Sequence, residues 1–119
     1  MQHSTNHTGI KIVFIMKILT FLIFGKNEEI LLTLKRIIEL TPTWHAIIQQ
    51  DLNACKKQLI DEPVDVLLLS SGLSPEDELD VTDHLSRLTY PIGLIKHYGG
   101  GSGLLKNEVY SLFPELLPV

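Results

Sequence analysis

The stretch Val64-Asp65-Val66-Leu67-Leu68-Leu69 (VDVLLL), continuing into Ser70-Ser71-Gly72-Leu73-Ser74-Pro75-Glu76-Asp77, decides the fold. A near-continuous apolar run is the pattern of a central parallel strand covered on both faces. Directly behind it stands a helix start, with Ser74 as N-cap, Pro75 at the first helical position and acids after it. One strand feeding one helix across a short turn is a β–α unit.

The same rhythm extends in both directions. Towards the N-terminus, Leu52–Ile60 reads as a short helix capped by Asp51 and ended by Asp61-Glu62-Pro63. Thr43–Gln49 (TWHAIIQ) reads as a strand, and its mixed polarity suits a sheet edge. Before it, Asn27–Leu40 carries Ile30, Leu31, Leu34, Ile37 and Ile38 at helical spacing, with Lys35, Arg36 and Glu39 outside. Asn27 is its N-cap, Glu28 and Glu29 face the positive end of the helix dipole, and Thr41-Pro42 stops it. Lys17–Phe24 is the first buried strand. Towards the C-terminus, the helix begun at Ser74 runs to about Leu88 on Leu79, Val81, Leu85 and Leu88. Pro91–Lys96 (PIGLIK) is a fourth strand, and Leu104–Phe113 is a last helix with Leu105, Val109, Leu112 and Phe113 on one face. Four successive β–α units demand a parallel sheet with helices on both faces. The expected fold is a small doubly wound, three-layer α/β/α domain.

The 119 residues suit one domain, and 45% hydrophobic content supplies a core for it. Ten Lys+Arg against fourteen Asp+Glu leave a formal charge of −4 without a basic run, which speaks against nucleic-acid binding. The single Cys55 cannot form an internal disulfide, as befits a reducing, cytoplasmic setting. Ile10–Phe24 is apolar but short of the roughly 20 residues of a spanning helix, and Lys11 and Lys17 interrupt it. Its Ile, Phe, Val and Thr favour a strand, so no membrane role is expected. Met16-Lys17-Ile18-Leu19 looks like a chain start leading into a first strand. Residues 1–15 are therefore expected to be a flexible extension, with the domain at 16–119.

FLIFGKNEEILLTLKRIIE (Phe21–Glu39) resembles the first strand and helix of bacterial response-regulator receiver domains. VDVLLLSSGLS (Val64–Ser74), with its Gly72-Leu73 pair, resembles their third strand and following loop. The similarity covers roughly residues 17–97 and implies a flavodoxin-like sheet of order 2-1-3-4, truncated after the fourth unit. In that family an acidic pair after the first strand binds Mg²⁺ and an Asp after the third strand accepts phosphate. Here Gly25 and Lys26 occupy the acidic positions, Ser70 the phosphoacceptor position, and Lys96 the position of a Thr or Ser after the fourth strand. The fifth strand has no counterpart. Mg²⁺ wants oxygen ligands, and Lys26 repels it. The resemblance implies a degenerate receiver: a non-enzymatic signalling or protein-interaction module, without aspartyl phosphorylation, cofactor or metal.

Open α/β sheets bind ligands where the strand carboxyl ends gather. That edge should carry Gly25, Lys26, Asn27, Ser70, Ser71 and the stretch Lys96–Gly103. An alternative function follows: Lys26, His97, Gly99, Gly100, Gly101, Ser102 and Gly103 as a small anion or nucleotide site ahead of the last helix. The turn matches neither the dinucleotide fingerprint nor a phosphate loop ending in Gly-Lys-Ser/Thr, so a plain connection capped by Ser102 competes with it. Catalysis by Ser70 or Ser71 needs a base and an orienting group, and His97 is alone there, with Asp65 at the far end of its strand. His3, His7, His45 and His84 show no metal-ligand spacing. Trp44 is expected to be a packing residue and Cys55 an ordinary helix residue.

Without a fifth strand the fourth becomes an edge. Leu94, Ile95, Leu104, Leu105, Val109 and Phe113 are then expected to lie on an uncovered surface. A homodimer through the fourth strand and last helix, beside an unknown protein partner, satisfies that surface. Alternatively, the N-terminal IKIVFI segment covers it.

Overall fold

The computed structural model describes residues 18–96 and 102–116, the first three of the latter stretch by backbone alone. The expected extension 1–15 and the stretch 97–101 lie outside the described residues. In chain order the elements are β1 Leu19–Phe24, α1 Glu28–Glu39, β2 Trp44–Gln49, α2 Leu52–Asp61, β3 Val66–Leu69, α3 Pro75–Leu85, β4 Gly93–Lys96 and α4 Ser102–Leu112. A 3₁₀ turn at Pro114–Leu116 follows.

The three caps read from the sequence are in place. Asn27 Oδ1 accepts from Ile30 N at 3.1 Å, Asp51 Oδ2 from Ala54 N at 2.8 Å, and Ser74 Oγ from Asp77 N at 3.1 Å. Each satisfies one amide that the first helical turn leaves unpaired. Boundaries shift by a few residues. β4 begins at Gly93 rather than Pro91, α3 ends at Leu85 rather than Leu88, and α4 begins at Ser102 rather than Leu104.

All four strands are parallel in the order β2-β1-β3-β4, as expected. Phe21 pairs with Ala46 on one side and Val66 on the other, and Leu67 pairs with Leu94. Residues of β1 alternate between the two faces of the sheet. Leu19, Phe21 and Ile23 pack with Leu31, Leu34 and Ile38 of α1 and with Leu105 and Val109 of α4. Leu22 and Phe24 pack with Cys55 and Leu59 of α2 and Val81 of α3. Two helices thus cover each face, giving a doubly wound, three-layer α/β/α domain consistent with a flavodoxin-like arrangement. Trp44 is a packing residue, 5.5 Å from the Phe21 ring and 6.1 Å from Tyr110 of α4.

Two expectations about packing are corrected. Leu79 does not face the core: it is 70% exposed, because Val81 sets the inner face of α3 and Leu79 lies about 200° away around the helix. The expected uncovered surface is also largely covered. Ile95, Leu105 and Val109 are buried, and Phe113 and Leu94 pack half-buried against the two cores. The reason is the position of α4, which joins α1 and fills that face over β3 and β4. The side chain of Leu104 lies outside the described residues.

Candidate functional site

The carboxyl ends of β1 and β3 meet at the upper edge of the sheet. Ser70, directly after β3, donates its amide to Phe24 O at 2.9 Å. Gly25, directly after β1, donates to Gln49 O at 3.3 Å. These bonds extend the parallel ladders by one residue and bring Gly25 over Ser70. A Cβ on Gly25 would lie 2.9 Å from the Ser70 Cβ and 3.0 Å from Leu31 Cδ2. Only a residue without a side chain fits there. The place directly after β1 is thus filled by packing.

Ser70 is 1% exposed, and its Oγ has no hydrogen-bond partner. It continues the β3 alternation from Val66 and Leu68, which places it on the α1 face. A hydroxyl at this depth is closed off from an incoming reactant, and among the described residues no base stands within hydrogen-bond reach of it.

Lys26 is on the surface of the edge, and its ammonium donates to Gln50 O at 2.7 Å. It also stands 3.9 Å from Asp77 Oδ2 and 5.7 Å from the centre of the Phe24 ring. Gly72 closes the other side, at a φ of 91° that suits glycine, with its Cβ position 3.3 Å from Lys26 Cβ. Lys96, at the end of β4, pairs with Glu78 Oε1 at 2.9 Å. Both lysines of the edge are thus matched by consecutive acids from the first turn of α3.

The structure brings Gly25, Lys26 and Ser70 together and sets Lys96 on the same edge. His97, Gly99, Gly100 and Gly101 lie outside the described residues, as does the side chain of Ser102, while Gly103 is described as helical backbone. Ser102 is the first helical residue of α4. Asp77, Glu78 and Gln50 are site residues that the sequence reading missed. Asp77 was legible as an acid in a helix start, but the pairing of Asp77 and Glu78 across elements follows only from the fold.

Among the described residues, the two lysines of the edge have acidic partners and Gly25 packs tightly against Ser70. Comparison with family models, with curated proteins and with solved structures finds no match in any of the three. Among the described residues no group of three or more His, Cys, Asp or Glu is placed to hold a metal ion. None of the described helices is long and apolar enough to cross a membrane.

At the opposite, lower edge, Asp65 sits far from Ser70, as the sequence reading required. Its Oδ2 accepts from Thr20 N at 2.8 Å, a structural role that binds the start of β3 to β1. Cys55 is fully buried in α2, and burial alone pushes its thiol up to about 12. A thiol in that state is not a nucleophile at neutral pH.

Proposed function

We propose that this chain is a non-enzymatic, receiver-like signalling or protein-interaction module of the cytoplasm that works without aspartyl phosphorylation, as a homodimer. The observation that carries the reading is the contact of Gly25 with buried Ser70, which fills the place where a receiver holds its acids and its phosphoacceptor. Lys26 adds a cation where Mg²⁺ would have to sit, and it offers no oxygen ligand while its like charge disfavours the ion there.

An interaction module needs a surface rather than a pocket. β4 is an edge strand paired only with β3 among the described residues. Gly93 N donates inward to Asp65 O, so the alternate residue Leu94 turns its backbone N–H and C=O outward. Antiparallel pairing of two copies about Leu94 completes both edges and satisfies a two-fold axis.

The test incubates the purified chain with Mg²⁺ and acetyl phosphate and measures intact mass. The expected spectrum is unchanged, and a stable gain of one phosphoryl group overturns the reading. Sedimentation of the same sample is expected to give twice the chain mass. A single-chain mass that persists at about 100 μM removes the dimer, since a specific interface assembles well below that concentration.

A further inference from the structure

At the lower end of the sheet, Asp65, Pro91, Ile92, Gly93, Leu112 and Phe113 line a cleft of about 330 Å³. Its walls are mainly apolar, and Leu112 remains 38% exposed there. The Leu112 side chain packs against Gly93, with Cδ1 2.7 Å from where a Cβ would stand. The chain enters β1 at this same end. Ile18, immediately before β1, is 59% exposed. Asp65, a wall of the cleft, is bound to the start of β1 twice, through Asp65 N to Thr20 O at 2.9 Å and Thr20 N to Asp65 Oδ2 at 2.8 Å.

We propose that Ile12-Val13-Phe14-Ile15 of the same chain docks in this cleft and covers the exposed side of Leu112 and Ile92. Reach and chemistry both select this segment. β1 and β4 are two strand spacings apart, about 10 Å. Residues 15 to 12 precede Ile18 by three to six positions, and extended chain spans about 3.3 Å per residue, so they reach about 10–20 Å. They are also four consecutive apolar residues, whereas Ser4–Gly9 further out is polar and matches no apolar wall. A tethered segment has an effective concentration in the millimolar range and loses little translational freedom on docking. A second copy offering the same residues has to overcome the full cost of association. The inference is independent of the function proposed above.

The test uses the full chain with Phe14→Cys and Leu112→Cys under mild oxidation. The native Cys55 is buried and stays out of the exchange. An intrachain disulfide, seen as a faster reducible band of single-chain mass, is the expected product. Disulfide-linked dimers overturn the proposal in favour of a second copy's segment, and unreacted thiols overturn it outright. Pairing Phe14→Cys instead with Glu76→Cys, at the far end of the sheet, is expected to leave both thiols free; equal cross-linking there also overturns it. As a second readout, Phe14→Asp in the full chain is expected to speed hydrogen exchange of the Phe113 and Leu116 amides about tenfold. Unchanged exchange overturns the proposal without relying on a cysteine.

Discussion

The Lys35 ammonium donates to the backbone carbonyl of Ala46 at 2.6 Å, reaching from α1 to the outer edge of β2. Glu39 completes the arrangement: its Oε2 accepts from Ala46 N at 3.2 Å and from Lys35 Nζ at 3.0 Å. Two side chains one helical turn apart therefore occupy the donor and the acceptor that an incoming strand would use. Exposed strand edges invite pairing with other chains, and blocking them with charged groups is a known defence. The double variant Lys35→Ala/Glu39→Ala is expected to lose about 1 kcal/mol of stability, because the pair is partly exposed. It is also expected to self-associate at concentrations where the parent does not. Light scattering checks the second outcome, and unchanged scattering means that β2 is protected by something else.

The same contacts make a pH prediction. The hydrogen bond from Lys35 and then that from Ala46 hold the Glu39 carboxyl below its ordinary 4.5. As pH falls, the unfolded chain takes up the proton first. The contribution of Glu39 is thus complete above 4.5 and is lost as pH falls through the lower folded value. Urea unfolding of the parent and of Glu39→Gln should differ at pH 7 and converge once the pH has fallen below the lowered folded value, where both carry a neutral group. A gap that persists at low pH assigns the effect to shape rather than charge.

Gly25 and Ser70 offer a test of packing at the candidate site. The Cβ of Gly25→Ala would stand 2.9 Å from Ser70 Cβ, so the strands must shift or the side chain must give way. Overpacking of this kind costs about 1–3 kcal/mol. In a Ser70→Gly background the obstructing atom is gone, and the cost of Gly25→Ala should fall by at least about 0.5 kcal/mol. Chemical unfolding of the four members of this cycle measures the coupling. Additive effects mean that the two positions do not touch.

The elements were legible because the local signals agree. Asn27, Asp51 and Ser74 cap the helices they precede, and VDVLLL is the central strand next to β1. What failed did so for geometric reasons. The exposure of Leu79 follows from helical spacing already present in the sequence, since Leu79 and Val81 cannot share a face. The burial of Ile95, Leu105 and Val109 depends on which face α4 takes, and amphipathicity alone does not select a face. At the site, Gly25, Lys26 and Ser70 were legible from their place after the strands. Their partners Asp77 and Glu78 were not, because a helix docked across the sheet joins residues distant in sequence. Lys35 and Glu39 read only as a helical surface pair until the edge of β2 is laid beside them.

Cys55 should be silent in the folded protein. It is fully buried in apolar surroundings, and its thiol is pushed up to about 12. An aromatic disulfide reagent at about pH 8 is expected to label it only at the rate of unfolding, since the unfolded thiol has an ordinary value near 8.5. Adding urea should bring rapid labelling of one thiol per chain. Rapid labelling without urea would show that α2 opens locally, well short of global unfolding.

Ser70 carries the last prediction. Its Oγ is buried and has no partner among the described residues, and an unsatisfied buried hydroxyl costs about 1–3 kcal/mol. Ser70→Ala removes the hydroxyl and keeps the Cβ that packs beneath Gly25. The loss of a few dispersion contacts offsets part of the gain, so a net stabilisation of about 1 kcal/mol is expected, or a rise of about 4 °C in Tm. That outcome fits a serine whose place after β3 is a packing position. A fall of similar size would show that the hydroxyl has a partner in solution. Ser70 would then be a working polar group at the strand edge, and the anion-binding reading of that edge would gain support.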